Sequence, residues 1–201
     1  MDEHRNEFLE AKADFETFIS ALLNKTSVFD KDVKDLALKD CTFRLNRDIR
    51  FSKDKTPYKI NMGASLNRQG KKSIYAGYYF HLEQGGKSFA GGGIWMPASG
   101  ELKKIRQEID YNFNELKDLL SEKKFKSVYS TLESGKEEKL INLPKGYDKD
   151  NPAAEYLKLK SILALRMIPD EDLLKPGLLN NTSNTFKALT PLIEFINRAL
   201  D

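Results

Sequence analysis

The sequence predicts an α+β fold, with helices at both ends of the chain around a meander of about four to six antiparallel strands. Apolar residues recur every three or four positions near both termini, as in helices with one buried face. Between about positions 42 and 96 the apolar period changes to two, and short polar turns separate the alternating segments. With 201 residues, 40% of them hydrophobic, we expect a single domain over 1–201.

The N-terminal helix is predicted from an apolar stripe at helical spacing. Its members are Phe8, Ala11, Phe15, Phe18, Ile19 and Leu22. A shorter helical pattern follows at Val33, Leu36 and Ala37, with Asp30 as its expected N-cap.

The strand block is predicted from alternation. The first strand is expected over 42–51, where Phe43, Leu45, Ile49 and Phe51 alternate with polar residues. Three more strands are expected over 60–66, 74–83 and 88–96, and polar turns over 66–71 and 84–87 separate them. The alternation places Tyr79 and His81 on the face of the sheet opposite Tyr78 and Phe80.

The C-terminal half is expected to be mostly helical. Ser99 is the expected cap of a long helix that ends near Leu120, and short strands are expected at 125–131 and 141–143. A helix is expected to start at Asn151-Pro152. The stretch 161–168 fits either its continuation or a strand, and a last amphipathic helix covers 186–200.

Composition excludes several classes of site. One cysteine excludes an internal disulfide and a zinc site built on a cysteine cluster, and two histidines exclude a multi-histidine metal site. We therefore predict no metal, and no cofactor is indicated. Neither a secretory signal nor a run of about 20 apolar residues is present, so we expect a cytoplasmic protein with no membrane partner.

Positive charge is concentrated in one segment. From Arg44 to Lys72 there are nine basic and two acidic residues, although the whole chain carries only +3. Arginine and lysine bind carboxylate and phosphate groups, so this segment predicts a site for a small anion. The candidate ligand-binding residues are Arg44, Arg47, Asp48, Arg50, Lys53, Asp54, Lys55, Tyr58 and Lys59. The alternative is that Asp48 and Asp54 pair with these cations and stabilise a turn.

Three residues outside this segment complete the candidate site. Tyr79 and His81 lie on the polar face of their predicted strand, where His81 is either an acid–base group or a hydrogen-bonded strand histidine. Trp95 is a candidate pocket wall. The run Gly91-Gly92-Gly93 lacks the spacing of a dinucleotide-binding loop and indicates a bulge or a close approach of backbones.

The run Arg47-Asp48-Ile-Arg50-Phe51-Ser52-Lys53-Asp54-Lys55-Thr56-Pro57-Tyr58-Lys59 resembles the signature of a microbial family known as domain of unknown function 2461. The resemblance continues, in order, through the segments at 78–83, 90–97 and 143–147, and so covers nearly the whole chain. It implies a single α+β domain. It implies no reaction, cofactor or catalytic residue.

Three classes of function are compatible with these observations. The first is binding, with or without turnover, of a small anionic metabolite that bears a phosphate or carboxylate group. In this class we expect the cations and His81 to lie together around one concave pocket. The second is a nucleic-acid binder, with cations spread over an open surface beside Tyr75 or Tyr79. The third is a protein-interaction module with an internally paired basic segment. We favour the first; neither an enzymatic reaction nor an oligomeric state follows from the sequence.

Overall fold

The computed structural model describes residues 5–47, 50, 55–56, 58–135 and 138–201. Helices are α1 (Arg5–Thr26), α2 (Leu38–Cys41), α3 (Ser99–Tyr111), α4 (Phe113–Ser121), α5 (Lys123–Tyr129), α6 (Ala154–Leu157), α7 (Asp170–Leu173) and α8 (Leu178–Arg198). Strands are β1 (Asn61–Asn67), β2 (Gly77–Glu83), β3 (Ser88–Ile94) and β4 (Ile162–Ile168). The α+β class is confirmed.

The four strands form one antiparallel sheet in the order β1-β2-β3-β4. The predicted meander is therefore confirmed. The long connection from β3 to β4 carries α3 to α6, and β4 settles the ambiguous stretch 161–168 as a strand. Residues 42–47, which were expected to form a strand, lie beside β1 instead. There the amide of Phe43 donates to the carbonyl of Gly63 at 3.1 Å.

One face of the sheet forms the hydrophobic core with the long helices. Tyr78 and Phe80 of β2 are almost completely buried, as are Ile19 of α1 and Phe186 of α8. The Tyr78 ring stacks on Phe186 with 4.9 Å between ring centroids. The long helices thus pack on the Tyr78 face of the sheet. Tyr79 and His81 lie on the opposite face.

Tyr78 and Asn197 carry polar groups on the core face that are hydrogen-bonded. The Tyr78 hydroxyl donates to Asp30 Oδ2 at 2.9 Å and lies 3.0 Å from Thr190 Oγ1. Asn197 of α8 accepts from the amide of Ala76 at 2.8 Å and donates to its carbonyl at 3.3 Å. These bonds tie the start of β2 to α8 and to Asp30, which follows α1 in the chain. They satisfy buried polar groups that would be costly without partners.

Several predicted elements are wrong. The strand predicted over 42–51 is absent from its described part, where only single bridges pair Thr42 with Ala64 and Asn46 with Tyr58. The long helix from Ser99 is two helices, because Asn112 leaves helical geometry at φ −115° and ψ 35°. Ser99 is its first helical residue rather than its cap.

The short strands predicted in the C-terminal half are also wrong. The strand expected at 125–131 is mostly helix α5, and 141–143 forms no strand. In the N-terminal half Asp30 does cap a helical turn, since its side chain accepts from the amide of Asp32 at 2.9 Å. That turn is a 3-10 helix over Lys31–Val33, which leaves Leu36 and Ala37 outside it.

Strand β3 has room only for glycine at its centre. A Cβ atom on Gly93 would lie 2.0 Å from the carbonyl oxygen of Ile162 in β4, and one on Gly92 would lie 2.1 Å from that of Gly77 in β2. Gly93 also has φ +117°, a conformation that other residues rarely adopt. The glycine run is therefore the close approach of backbones that the sequence indicated.

Replacing Gly93 with alanine is expected to lower the free energy of unfolding by about 3 kcal/mol, through the backbone clash and the unfavourable φ. Gly100, in the first turn of α3, is the matched control because a Cβ there meets no atom within 4 Å. Gly100→Ala is expected to leave stability unchanged or raise it by about 0.5 kcal/mol. Urea unfolding of both variants measures the difference; equal effects would contradict the steric explanation.

Candidate functional site

A cavity of about 650 Å³ lies on the face of the sheet that the helices leave free. We call it the open-face cavity. Its lining comes from all four strands, from residues 43–44 and 59 beside β1, and from residues 133 and 138 in the connection before β4. This volume is in the range of pockets that hold small molecules.

The floor of the open-face cavity is a row of residues that crosses the sheet. Asn67, Gly77, Gly93 and Leu163 are paired neighbours on β1, β2, β3 and β4. The two central strands carry glycine here, and the side chain of Asn67 lies close to Gly77, where a Cβ atom would come within 2.6 Å of Asn67 Cγ. The side chain of Asn67 is held in place, since its amide donates to the carbonyl of Tyr75 at 2.9 Å.

Aromatic rings form one wall of the cavity. The Tyr79 ring lies 6.2 Å from Phe43 and 5.7 Å from Phe89, measured between centroids. It leans over Gly63, where a Cβ atom would come within 2.4 Å of the Tyr79 hydroxyl. Burial raises the pKa of Tyr79, so its hydroxyl stays protonated and can donate a hydrogen bond at neutral pH.

His81 is oriented by a carboxylate. Its Nε2 lies 3.0 Å from Glu83 Oε2, and its ring stacks on Phe89 at 4.8 Å between centroids. Glu83 also accepts from Asn61 at 3.3 Å and from Lys87 at 3.2 Å. The hydrogen bond with His81, followed by that with Lys87, lowers the pKa of Glu83. This arrangement fixes the imidazole and leaves Nδ1 as its second polar atom.

The β1 side of the cavity is basic. Arg44 and Lys59 line it, and Lys59 Nζ lies 6.0 Å from the centroid of the Phe43 ring. Neither Arg44 nor Lys59 has a carboxylate partner in the part of the chain that the structure describes. Lys71 also lines the cavity, but its ammonium donates to the carbonyls of Lys39 and, at 2.7 Å, Thr42. Arg44 and Lys59 are therefore the cations available to an anion.

The family assignment comes from a sequence match over almost the whole chain. The model of family DUF2461, described as a conserved hypothetical protein, matches residues 1–195. The chain belongs to this family. Searches of the curated proteins and of the solved structures found no significant match.

In this DUF2461 protein the predicted site residues fall into three groups. The cavity lining includes Arg44, Lys59, Tyr79, His81 and Trp95. It does not include Arg47, Arg50, Lys55 or Tyr58. The remaining candidates, Asp48, Lys53 and Asp54, lie outside the described residues.

The basic segment of the DUF2461 chain is partly engaged within itself. Arg47 donates to the Thr56 hydroxyl at 3.0 Å, and Asn46 forms a bridge with Tyr58. Arg50 and Lys55 also interact with other groups of the chain. Of the described cations in the predicted site, Arg44 and Lys59 line the cavity together with His81.

Sequence reasoning missed several lining residues. Asn61 and Ser65 were visible as polar positions of an alternating strand, whereas Asn67 fell in the turn predicted over 66–71. In the structure Phe89 pairs with His81. No sequence signal indicated that Glu133 and Glu138 line the cavity, because the position of a residue in a loop does not show which part of the sheet it contacts. Phe43 was expected to point into the core and instead lies on the cavity wall.

Two features are absent from the residues that the structure describes. Among the described residues, no group of three or more His, Cys, Asp or Glu side chains is placed to hold a metal ion. Within the same ranges, no helix combines the length and apolar character needed to cross a membrane.

The Glu83 network predicts a specific pH dependence. Because the folded-state pKa of Glu83 is lowered, its carboxylate stabilises the fold above the ordinary glutamate pKa of about 4.3, and this contribution is lost as the pH falls through the lowered value. Glu83→Gln should therefore be less stable than the parent protein near neutral pH, and the difference should shrink in acid. Urea midpoints between about pH 7 and about pH 3.5 measure it.

Glu10, exposed on α1 and without an ion pair in the described chain, supplies the control. Glu10→Gln is expected to follow the parent protein at every pH. A Glu83→Gln difference that stays constant with pH would show that the carboxylate charge contributes nothing.

Proposed function

We propose that the open-face cavity binds a small anionic metabolite through a phosphate or carboxylate group held by Arg44 and Lys59. The observation that carries the proposal is the pairing of a roomy cavity with two cations that have no carboxylate partner in the described chain. An anion between these cations would gain charge-assisted hydrogen bonds, which are stronger than hydrogen bonds between neutral groups.

The other lining groups support a small organic ligand. Aromatic side chains offer apolar contact area, while the Tyr79 hydroxyl and the His81 imidazole offer hydrogen bonds at fixed positions. The glycine floor lets a ligand approach the backbone of the central strands closely. A few polar groups within a mostly apolar lining is the usual composition of a metabolite site.

A nucleic-acid interface receives less support. Such an interface requires aromatic faces on an open surface, so that bases can stack on them. Tyr79 packs among Phe43, His81 and Phe89 inside the cavity. Tyr75 lies under the guanidinium of Arg68, with 4.6 Å from Arg68 Cζ to the ring centroid.

The proposal is tested with phenyl phosphate, an anion attached to a flat ring, by isothermal titration calorimetry. The double variant Arg44→Met with Lys59→Met keeps the apolar stems and removes both charges. We expect its dissociation constant to rise at least about tenfold, since hydrogen bonds to charged groups contribute about 1.5–3 kcal/mol each. Its melting temperature should change little, because neither charge has a carboxylate partner in the described chain.

The matched control is Lys117→Met with Lys187→Met, two exposed lysines outside the cavity lining, which removes the same net charge. The control should bind phenyl phosphate like the parent protein. Absence of binding to the parent, or equal weakening in both double variants, would refute the proposal. Tight, steeply salt-dependent binding of a single-stranded oligonucleotide would favour the nucleic-acid reading instead.

A further inference from the structure

The end of the open-face cavity opposite Arg44 and Lys59 carries negative charge. Glu133 and Glu138 line the cavity there, and neither forms an ion pair with a described residue. The amide of Glu133 donates to the carbonyl of Leu163 at 2.8 Å, which fixes this residue at the outer edge of β4. The amide of Lys160 donates to the carbonyl of Glu138 at 2.9 Å, so Glu138 is also tied to the chain entering β4.

The basic end is fixed at the opposite edge of the sheet. The hydrogen bond from Phe43 to Gly63 places Arg44 beside β1, and the amide of Lys59 donates to the carbonyl of Leu45 at 2.9 Å. Strands β1 and β4 are the two outer strands of the described sheet. Three interstrand spacings of about 4.8 Å separate them, so the backbone segments that carry the two charged ends lie about 14 Å or more apart.

Between these two ends, no described lining residues form an ion pair with each other. Gly77 and Gly93, which pair in the middle of the sheet, line the cavity there, and Tyr79 lines it too. One elongated ligand can therefore contact both ends at once. Its charges have to match a positive site at β1 and a negative site at β4.

Trp95 supplies a further feature of the acidic end. It directly follows β3, whose last residue Ile94 pairs with Ile162 of β4, and 73% of its surface is exposed. The face of an indole ring attracts cations. An exposed tryptophan on the β4 side, in the same lining as Glu133, suits a positively charged group.

From this charge distribution we propose that the ligand is zwitterionic, with a carboxylate or phosphate at Arg44 and Lys59 and an amine or guanidine at Glu133 and Glu138. The proposal rests on the proposed function and adds the second charge. Selectivity follows from repulsion as well as attraction. A dianion of the same length would place its second negative charge at the glutamates, and a diamine would place a positive charge at Arg44.

The test uses one peptide in four charge states. An extended tetrapeptide spans about 14 Å, since each residue adds about 3.5 Å. The probes are glycyl-phenylalanyl-glycyl-glycine, its N-acetyl form, its C-terminal amide, and the form with both caps. Trp95 is the chain's single tryptophan, so its fluorescence reports binding at the acidic end. We expect the free peptide to bind at least about tenfold more tightly than either singly capped form.

A double variant tests whether the two glutamates cause the tighter binding of the free peptide. Glu133→Gln with Glu138→Gln should weaken the free peptide to the level of its N-acetyl form and leave the N-acetyl form unchanged. The control is Glu10→Gln with Asp118→Asn, two exposed acids outside the cavity lining, which removes the same charge. It should preserve the preference for the free peptide.

The outcomes separate this inference from the proposed function. If acetylation makes no difference, or if no form of the peptide binds, the zwitterion is refuted. In that case, if phenyl phosphate binding still depends on Arg44 and Lys59, the proposed anion site is supported although the zwitterion is not. If phenyl phosphate binding is also independent of these two cations, both proposals fail.

Discussion

The open-face cavity depends on the register of the central strands. That register buries Tyr78 and Phe80 against the helices and, in doing so, turns Tyr79 and His81 toward the cavity. A shift by one residue would exchange the two faces and expose the core. The same register brings Gly77 opposite Gly93, so neither central strand contributes a side chain at this row of the cavity floor. Core and cavity are therefore two results of one pairing pattern, and neither can change without the other.

The strands were predictable where the alternation was complete, and the helices where the period was unambiguous. The break at Asn112 was hidden because apolar residues continue at helical spacing across it, from Ile109 to Phe113 and Leu116. Periodicity shows which side chains face the core. Two consecutive helices that pack on the same core can therefore show one continuous helical pattern. The segment around Phe125 is the opposite case, since Phe125 and Tyr129 are four residues apart and both buried, as a helix requires.

The candidate site was predictable to the extent that it belongs to regular strands. Tyr79 and His81 follow from alternation alone. Arg44 was predicted from the concentration of basic residues and not from alternation. Phe43 was missed, because the segment that carries it makes only isolated bridges in its described part and lies beside β1. Glu133 and Glu138 come from a connection whose position is set by single backbone hydrogen bonds. Such contacts join residues far apart in sequence, and no local pattern encodes them.

The basic segment has more than one role, and the environment of each cation separates them. The Lys71 ammonium donates hydrogen bonds to backbone carbonyls, and Arg47 donates one to Thr56. Both side chains therefore stabilise the backbone beside the cavity. Arg44 and Lys59 line the same end of the cavity and have no carboxylate partner in the described chain. Under the proposed function, an anion between these two side chains would accept hydrogen bonds from both of them. Two cations that line a cavity without a carboxylate partner in the described chain depart from the pairing that stability alone would favour, and such departures are expected at functional sites.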